Sequence, residues 1–484
     1  MSDHVDVLIV GAGLSGIGTA CRLVRECPDA TFAVLECRDA TGGTWDVFRY
    51  PGVRSDSDML TLSYDFRLWP HDGTLADGAA ILHYLRETAA AYGIDRRVRF
   101  RHRAVAASWS SADARWTVTV RDENRGSETI VTCSMLSVCT GYYRLDRGWT
   151  PDFPGLSDFA GPVVHPQHWP DGLPVEGRRV AVIGSGATAM SMVPALAAAG
   201  ARVTMVQRTP SWVAALPSRD RGADAARRLP RRLARQALRW RNIVVSVATY
   251  QLSRRRPAVL ERILRRGALH HLPPAVVDAH FTPAYRPWDQ RLCLVPDGDL
   301  LDLVADGTVE LVTDTVERFG PGGPELGSGR HVDADIVVTA TGLEILLAGG
   351  MHLTVDGRDV DPASTVGWKA MMLSGVPNLV ITVGYTNASW TLKSDLVAGH
   401  LCRLWKHRQR HGWTTVVPDT PALRPDELRP MFDLRSGYVL RSRHLLPRQG
   451  PRGPWRSRQN YLRDRPSVRR GRLTDGLTFS RAAP

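Results

Sequence analysis

One stretch near the N-terminus decides the fold: residues 5–10, VDVLIV, are followed directly by Gly11-Ala12-Gly13-Leu14-Ser15-Gly16. The apolar run does not alternate with polar residues, which is typical of a parallel strand buried on both faces. Gly11 permits a tight turn, Gly13 allows another group to approach the backbone, and Gly16 lets the next helix pack against the strand. The pattern predicts a strand, a glycine-rich turn and a helix of a doubly wound α/β sheet.

The next predicted strand ends on an acidic residue. Residues 32–35, FAVL, are a second apolar run that leads into Glu36, twenty residues after Gly16. At this position a carboxylate accepts hydrogen bonds from ribose hydroxyls, while the helix N-terminus faces phosphates. Strand, turn, helix and terminal acid together predict a binding site for an adenine dinucleotide.

The same pattern occurs a second time with the opposite charge at the strand end. Residues 179–183, RVAVI, lead into Gly184-Ser185-Gly186-Ala187-Thr188-Ala189, and residues 203–206, VTMV, lead into Gln207-Arg208. An acid here would repel a ribose 2′-phosphate, whereas Arg208 can pair with it through charge-assisted hydrogen bonds. The second site is therefore predicted to bind NADPH rather than NADH. The alternative is that Arg208 is an ordinary surface arginine, since the chain contains many.

Two nucleotide sites of unlike charge predict a division of labour between two cofactors. FAD would occupy the first site, and NADPH in the second site would reduce it. Disulfide reductases of this architecture need a redox-active cysteine pair, and the seven cysteines include no CxxC spacing. We therefore expect a flavin-dependent oxidoreductase that passes its electrons to oxygen.

Two longer motifs resemble those of type I Baeyer-Villiger monooxygenases. Residues 159–170, FAGPVVHPQHWP, are similar to the FxGxxxHxxxWP motif of that family. Gly42-Gly43-Thr44-Trp45, followed by Tyr50-Pro51-Gly52 and Asp56, is similar to a second segment of the same family. The resemblance extends over almost the whole chain and is strongest to a mycobacterial member that oxidises a thioamide drug.

This resemblance implies an activity. Members of the family use NADPH, O2 and a peroxyflavin to convert ketones to esters or lactones, and the mycobacterial likeness adds oxidation of sulfur in thioamides or thioethers. Negative charge on the peroxide and on its adduct with the ketone needs a fixed cation. Preorganised charge of this kind is usually the largest catalytic contribution. The segment PWDQRL places Arg291 at the family's catalytic arginine, with Asp56 as its partner. Without the family, Arg291 would be read as a salt-bridged surface residue.

The resemblance also implies further cofactor contacts. Arg54 would lie between the flavin and the nicotinamide, and Ala104 would offer a backbone contact to the adenine. The remaining implied FAD-lining positions are Ser15, Thr44, Trp45, Asp46 and Val47.

The predicted architecture is two doubly wound dinucleotide-binding domains, one inserted in the other, with a helical excursion. We expect the FAD domain at 1–150 and 343–484, the NADPH domain at 151–210 and 290–342, and an Arg-rich helical insertion at 211–289.

The formal net charge of +13 is concentrated in that insertion. Residues 219–266 contain fifteen arginines and three acidic residues, and a second Arg-rich stretch spans 441–472. Leu229, Leu233, Trp240, Val244 and Val247 would share one helical face after Pro230, which would leave the arginines on the solvated side. The alternative is contact with an anionic lipid or polyanion. No zinc spacing or aromatic-interleaved signature supports a metal site or nucleic acid.

Location and rival functions follow from the same features. Sparse cysteines, and the lack of a signal peptide or an apolar span in the sequence, favour a cytoplasmic protein, with peripheral contact to an anionic membrane through the Arg-rich segment. One rival function is a flavin monooxygenase that mainly oxygenates sulfur or nitrogen. A rival of another class is a nucleotide-regulated protein that binds membranes or polyanions.

Overall fold

The computed structural model describes residues 3–220 and 230–481. In chain order its strands are β1 (Asp3–Val10), β2 (Phe32–Leu35), β3 (Val98–Arg99), β4 (His102–Ser110), β5 (Arg115–Asp122), β6 (Glu128–Val138), β7 (Val163–Val164), β8 (Arg179–Ile183), β9 (Arg202–Gln207), β10 (Val213–Leu216), β11 (Cys293–Pro296), β12 (Val309–Thr313), β13 (Val316–Gly320), β14 (Gly323–Leu326), β15 (Ile336–Thr339), β16 (His352–Val355), β17 (Arg358–Asp359), β18 (Gly367–Trp368), β19 (Met372–Leu373), β20 (Leu379–Ile381), β21 (Thr415–Pro418), β22 (Arg429–Pro430), β23 (Arg448–Gln449) and β24 (Leu477–Ser480).

The helices fall between these strands and over their faces. In chain order they are α1 (Leu14–Glu26), α2 (Thr44–Val47), α3 (Met59–Leu62), α4 (Gly78–Ala91), α5 (Ala187–Ala198), α6 (Arg231–Arg255), α7 (Pro257–Ala268), α8 (Pro274–His280), α9 (Asp299–Ala305), α10 (Trp390–His411), α11 (Gly437–Arg441) and α12 (Tyr461–Arg470).

Two sheets form the centre of the molecule. The first has the order β17-β16-β4-β5-β6-β1-β2-β3, with β20 also paired to β6, and the second has the order β12-β9-β8-β15-β7. Strand β1 lies parallel to both β2 and β6, and β8 lies parallel to both β9 and β15. This confirms the predicted pair of doubly wound α/β units, since each glycine-rich turn follows a central parallel strand.

The chain leaves the first sheet after β6, builds the second sheet from β7 to β15, and returns to the first sheet at β16. One unit is therefore inserted in the other, through the connections from β6 to β7 and from β15 to β16. The residue boundaries of the units stay a prediction. The insertion contains α6, α7 and α8, and it begins with β10, which pairs with β11 beyond it.

The predicted burial of one apolar face of the insertion helix is wrong for three of its residues. Leu233, Trp240 and Val244 of α6 are 53%, 39% and 48% exposed, whereas Arg239 is only 5% exposed. The guanidinium of Arg239 donates hydrogen bonds to the carbonyl groups of Leu60 and Ser63, at the end of α3. Carbonyl groups at a helix C-terminus lack partners within the helix, and this need turns Arg239 inward. The other arginines of α6 stay on the solvated side or half-buried, with Arg231, Arg232, Arg241, Arg254 and Arg255 exposed. Leu229, assigned to the same face, lies outside the described residues.

All seven cysteines are free thiols. None of the helices in the described part of the chain combines the length and the apolarity needed to cross a bilayer.

Candidate functional site

The first glycine-rich turn has a backbone that only glycine accommodates. Gly11 has φ +103°, and a Cβ on it would lie 2.6 Å from the carbonyl oxygen of Cys139, just after β6. A Cβ on Gly16 would lie 1.8 Å from the carbonyl oxygen of Gly11. Gly13 precedes α1 and supplies no side-chain cap. The first N–H groups of α1 are thus left for a ligand, as in phosphate-binding helices.

Glu36 is held beside this turn. Its side chain is 6% exposed, and its carboxylate accepts hydrogen bonds from the backbone N–H of Ala12 at 2.8 Å and of Arg38 at 3.0 Å. The thiol of Cys37 also donates to this carboxylate, at 3.5 Å. A carboxylate has about four acceptor positions, so these three bonds leave one position for a ribose hydroxyl. The N–H of His102 donates to the backbone oxygen of Glu36. This bond brings the start of β4, with the buried Ala104, next to Glu36.

A second loop packs on the first. The N–H of Gly42 donates to the carbonyl of Ala12 at 3.0 Å, and a Cβ on Gly43 would lie 2.9 Å from the Cα of Gly13. This contact sets α2 and its residues Thr44, Trp45, Asp46 and Val47 beside the turn.

Asp46 differs from its neighbours because its carboxylate is already engaged. It is 2% exposed and pairs with Arg38 at 2.6 Å, Arg86 at 2.9 Å and Arg49 at 3.5 Å. A contact between Asp46 and a cofactor stays a prediction, and such a contact would have to use the backbone of Asp46. Ser15 accepts a hydrogen bond from the indole of Trp390 at 2.8 Å, so the start of α10 reaches the first turn.

The second glycine-rich turn repeats the first. Gly184 has φ +135°, and a Cβ on it would lie 2.3 Å from the carbonyl oxygen of Ala340, just after β15. Helix α5 begins after Gly186, again without a side-chain cap, and carries Ala187, Thr188 and Ala189 in its first turn. A Cβ on Gly186 would meet no atom within 4 Å. The space there fits a phosphate group approaching the backbone.

Gln207 and Arg208, at the end of β9, are used differently. Gln207 is 1% exposed, and its amide donates to the carbonyl of His280 and to the hydroxyl of Thr313. Arg208 is exposed. Within residues 3–220 and 230–481, no hydrogen bond or ion pair engages its guanidinium. Arg208 is thus the residue of this pair that can reach a ligand, while Gln207 holds the strand end.

Arg291 and Asp56 come together from distant parts of the chain. Nη2 of Arg291 lies 2.8 Å from a carboxylate oxygen of Asp56, and Nη1 donates to the carbonyl of Thr386 at 3.1 Å. Burial would lower the pKa of Arg291, but Asp56 and the nearby phenols more than offset it, so the pKa lies above its usual value. The guanidinium is a permanent cation that is one quarter exposed.

Arg54 forms a bridge between the two units. It pairs with Asp299 at 2.6 Å and donates to the carbonyl of Met190 in α5. Its predicted contact with flavin and nicotinamide stays a prediction, because the structure shows it in these two protein contacts.

Three tyrosines that no sequence motif indicates lie beside Arg291. Tyr142, Tyr143 and Tyr438 all help to raise the pKa of Arg291. The first two follow the end of β6, and the third lies in α11. The only signal for the first two was their place directly after a strand that ends beside the glycine turn. Nothing in the sequence pattern connects Tyr438 with them.

Comparison with known proteins identifies the family. Residues 5–235 match the flavin-binding monooxygenase-like family. The FAD-containing monooxygenase EthA of Mycobacterium tuberculosis is 49% identical, and the match covers 100% of this chain and 99% of EthA. The chain belongs to the FAD-containing monooxygenases. The probable FAD-binding monooxygenase AlmA of Acinetobacter baylyi is 43% identical over 99% of this chain and 96% of AlmA. The resemblance to this family is thereby confirmed.

Solved structures confirm the fold. A steroid monooxygenase bound to NADP matches with a TM-score of 0.76 and 22% identity, covering 99% of this chain and all of that one. OTEMO in complex with FAD and NADP matches with a TM-score of 0.74 and 20% identity, over the same shares of the two chains.

The residues of the first turn fit FAD. Two glycine positions exclude a Cβ, the first turn of α1 is uncapped, and Glu36 is fixed with free acceptor capacity. These are the features that an adenine dinucleotide requires.

Proposed function

We propose that the chain is an NADPH- and O2-dependent Baeyer-Villiger monooxygenase. The reaction is ketone + O2 + NADPH + H+ → ester or lactone + H2O + NADP+, in which one oxygen atom enters the product and the other leaves as water. The observation that carries this proposal is the ion pair of Arg291 with Asp56, which joins residues of the two units.

Arg291 would stabilise the anion that forms on the substrate. Activation of oxygen is the chemistry that FAD supplies when it is bound. When a ketone carbon is attacked, negative charge develops on its carbonyl oxygen, and a fixed cation lowers the energy of that state. Asp56 and the carbonyl of Thr386 hold the planar guanidinium in one orientation, so the charge is in place before the reaction.

NADPH would bind at the second turn. The exposed Arg208 can pair with a 2′-phosphate, and the open space at Gly186 leaves room for a pyrophosphate. The steroid monooxygenase and OTEMO structures contain NADP, which supports this choice. Sulfur oxidation in thioethers or thioamides is proposed as a side activity, because it consumes the same activated oxygen. It differs from ester formation in that no anion forms on a carbonyl group.

The test is the amount of ester formed per NADPH consumed. In Arg291→Ala we expect ester formation to fall by a factor of about 100 or more, since the fixed cation is worth about 3 kcal/mol. Oxidation of NADPH should continue and release hydrogen peroxide. Arg121→Ala, which removes an exposed arginine paired with Glu128, is the control and should couple normally. Normal coupling in Arg291→Ala would contradict the proposal.

For the insertion we propose contact with an anionic membrane surface. The exposed face of α6 presents Leu233, Trp240 and Val244, and Arg465 lies over the ring of Trp240. Apolar side chains beside arginines favour insertion at a charged interface. We expect the wild type to bind phosphatidylserine vesicles in a salt-sensitive way. The variant that combines Leu233→Ser, Trp240→Ser and Val244→Ser should lose this binding, and the control Ile130→Ser should keep it. No binding to these vesicles by the wild type would contradict this.

A further inference from the structure

Three phenol groups gather next to Arg291. The hydroxyl of Tyr142 lies 3.1 Å from that of Tyr143 and 3.5 Å from that of Tyr438. The ring of Tyr142 stacks on Trp390 at 5.0 Å with an angle of 4°, and Trp390 in turn donates to Ser15 of the first glycine turn. The cluster therefore lies between the FAD-binding turn and the Arg291–Asp56 pair.

The segment that carries Tyr438 also holds the backbone of Arg291. The N–H of Arg291 donates to the hydroxyl of Ser436, and the N–H of Arg435 donates to the carbonyl of Asp289. Ser436 directly precedes α11, in which Tyr438 is the second residue. The guanidinium and this phenol are thus positioned by one local framework.

The hydroxyl of Tyr438 is the most weakly held of the three. The hydroxyls of Tyr142 and Tyr143 are 3.1 Å apart, whereas those of Tyr142 and Tyr438 are 3.5 Å apart, at the limit for a hydrogen bond. Tyr143 also lies close enough to Tyr438 to lower its pKa. Tyr438 has the longer contact, 3.5 Å, and is half-buried, so its hydroxyl is the one most easily turned toward a ligand.

This hydroxyl keeps its proton at working pH. Burial raises the pKa of Tyr438, and Arg291 offsets only part of that rise. A neutral phenol beside a permanent cation can donate a hydrogen bond but cannot act as a base. An oxygen atom that gains negative charge is the acceptor that such a pair suits best.

We propose that Tyr438 donates its hydroxyl hydrogen to the carbonyl oxygen of the ketone substrate, beside the guanidinium of Arg291. Tyr142 and Tyr143 are positioning residues that hold this phenol. The inference rests on the proposed Baeyer-Villiger activity and makes carbonyl compounds the substrates that benefit from Tyr438. A thioether sulfur gains no such anionic oxygen at a carbonyl carbon, so its oxidation does not need this donor.

The test compares two substrates in Tyr438→Phe, which keeps the ring and removes the hydroxyl. With a ketone, ester formed per NADPH should fall by about tenfold or more, as for loss of one oxyanion donor. With a thioether, sulfoxide formed per NADPH should stay within about twofold of the wild type, and the flavin spectrum should be unchanged. Tyr92→Phe is the matched control and should alter neither yield.

Each outcome separates this inference from the proposed function. Wild-type enzyme that forms no ester from any ketone overturns the proposed function and the inference with it. Wild-type ester formation with an unchanged yield in Tyr438→Phe overturns the inference alone. An equal fall in ester and sulfoxide also overturns it, because it would show that the hydroxyl supports the fold of the site.

Discussion

The two glycine-rich turns have nearly the same backbone and opposite chemistry. Gly11 and Gly184 both adopt positive φ, and a Cβ on either would collide with the carbonyl oxygen of the residue that follows the neighbouring strand. At the strand ends, Glu36 is buried and bonded to the turn, whereas Arg208 is exposed. The backbone of the turn is therefore a property of the fold, and we expect the residue at the strand end to select the nucleotide.

The third small residue shows how closely each helix approaches its turn. A Cβ on Gly16 would lie 1.8 Å from the carbonyl oxygen of Gly11, but Ala189 occupies the matching place in the second unit and is fully buried. Helix α5 therefore tolerates a methyl group that α1 cannot. We expect nucleotide binding to tolerate this difference in packing, because the uncapped N-terminus is kept in both units.

The largest effect is expected when each turn is blocked separately. Gly11→Ala should abolish FAD binding and yield colourless protein, because the new methyl group meets a backbone carbonyl at 2.6 Å. Gly184→Ala should keep its FAD and lose reduction by NADPH, since its methyl group would lie 2.3 Å from a carbonyl oxygen. Absorbance of the flavin, before and after anaerobic NADPH, measures both.

Gly126→Ala is the control for backbone strain alone. Gly126 also has positive φ, +68°, but a Cβ there would meet no atom within 4 Å. It should cost about 1–2 kcal/mol of unfolding free energy and leave both cofactor sites intact. Normal reduction of Gly184→Ala by NADPH would show that the second turn does not bind the nucleotide.

A smaller effect is expected at the end of β9. Arg208→Ala should raise the KM for NADPH by about 10- to 100-fold, because about 1.5–3 kcal/mol of charged hydrogen bonding is lost. The KM for NADH should change by less than about twofold, since NADH has no 2′-phosphate to lose its partner. Arg202→Ala, at the exposed start of the same strand, should alter neither value. Equal effects on both nucleotides would refute the role of Arg208.

The sequence predicts the parts of the fold that depend on local patterns. Apolar runs, glycine spacing and strand-end charge predict both units, because each is contained within about 30 residues. The pairing of Arg291 with Asp56 came only from the family resemblance, and the structure places these two side chains in contact. Nothing in a single sequence indicates which distant segments meet.

The errors have the same physical origin. Helical periodicity assigns the apolar face of α6 to the interior, but it contains no information on the carbonyl groups of α3 that Arg239 satisfies. Tyr438 lies in a C-terminal helix of five residues with no motif of its own. Its meeting with Tyr142 results from tertiary packing, which periodicity does not describe.

The proposed cooperation of the two nucleotide sites in inserting oxygen into a ketone can be tested by the reaction of the wild-type enzyme with a ketone and NADPH under 18O2. We expect one labelled oxygen atom in each ester or lactone molecule, one product per NADPH, and much slower turnover with NADH. Consumption of NADPH with hydrogen peroxide as the only oxygen product, for every ketone tried, would contradict the proposed Baeyer-Villiger activity.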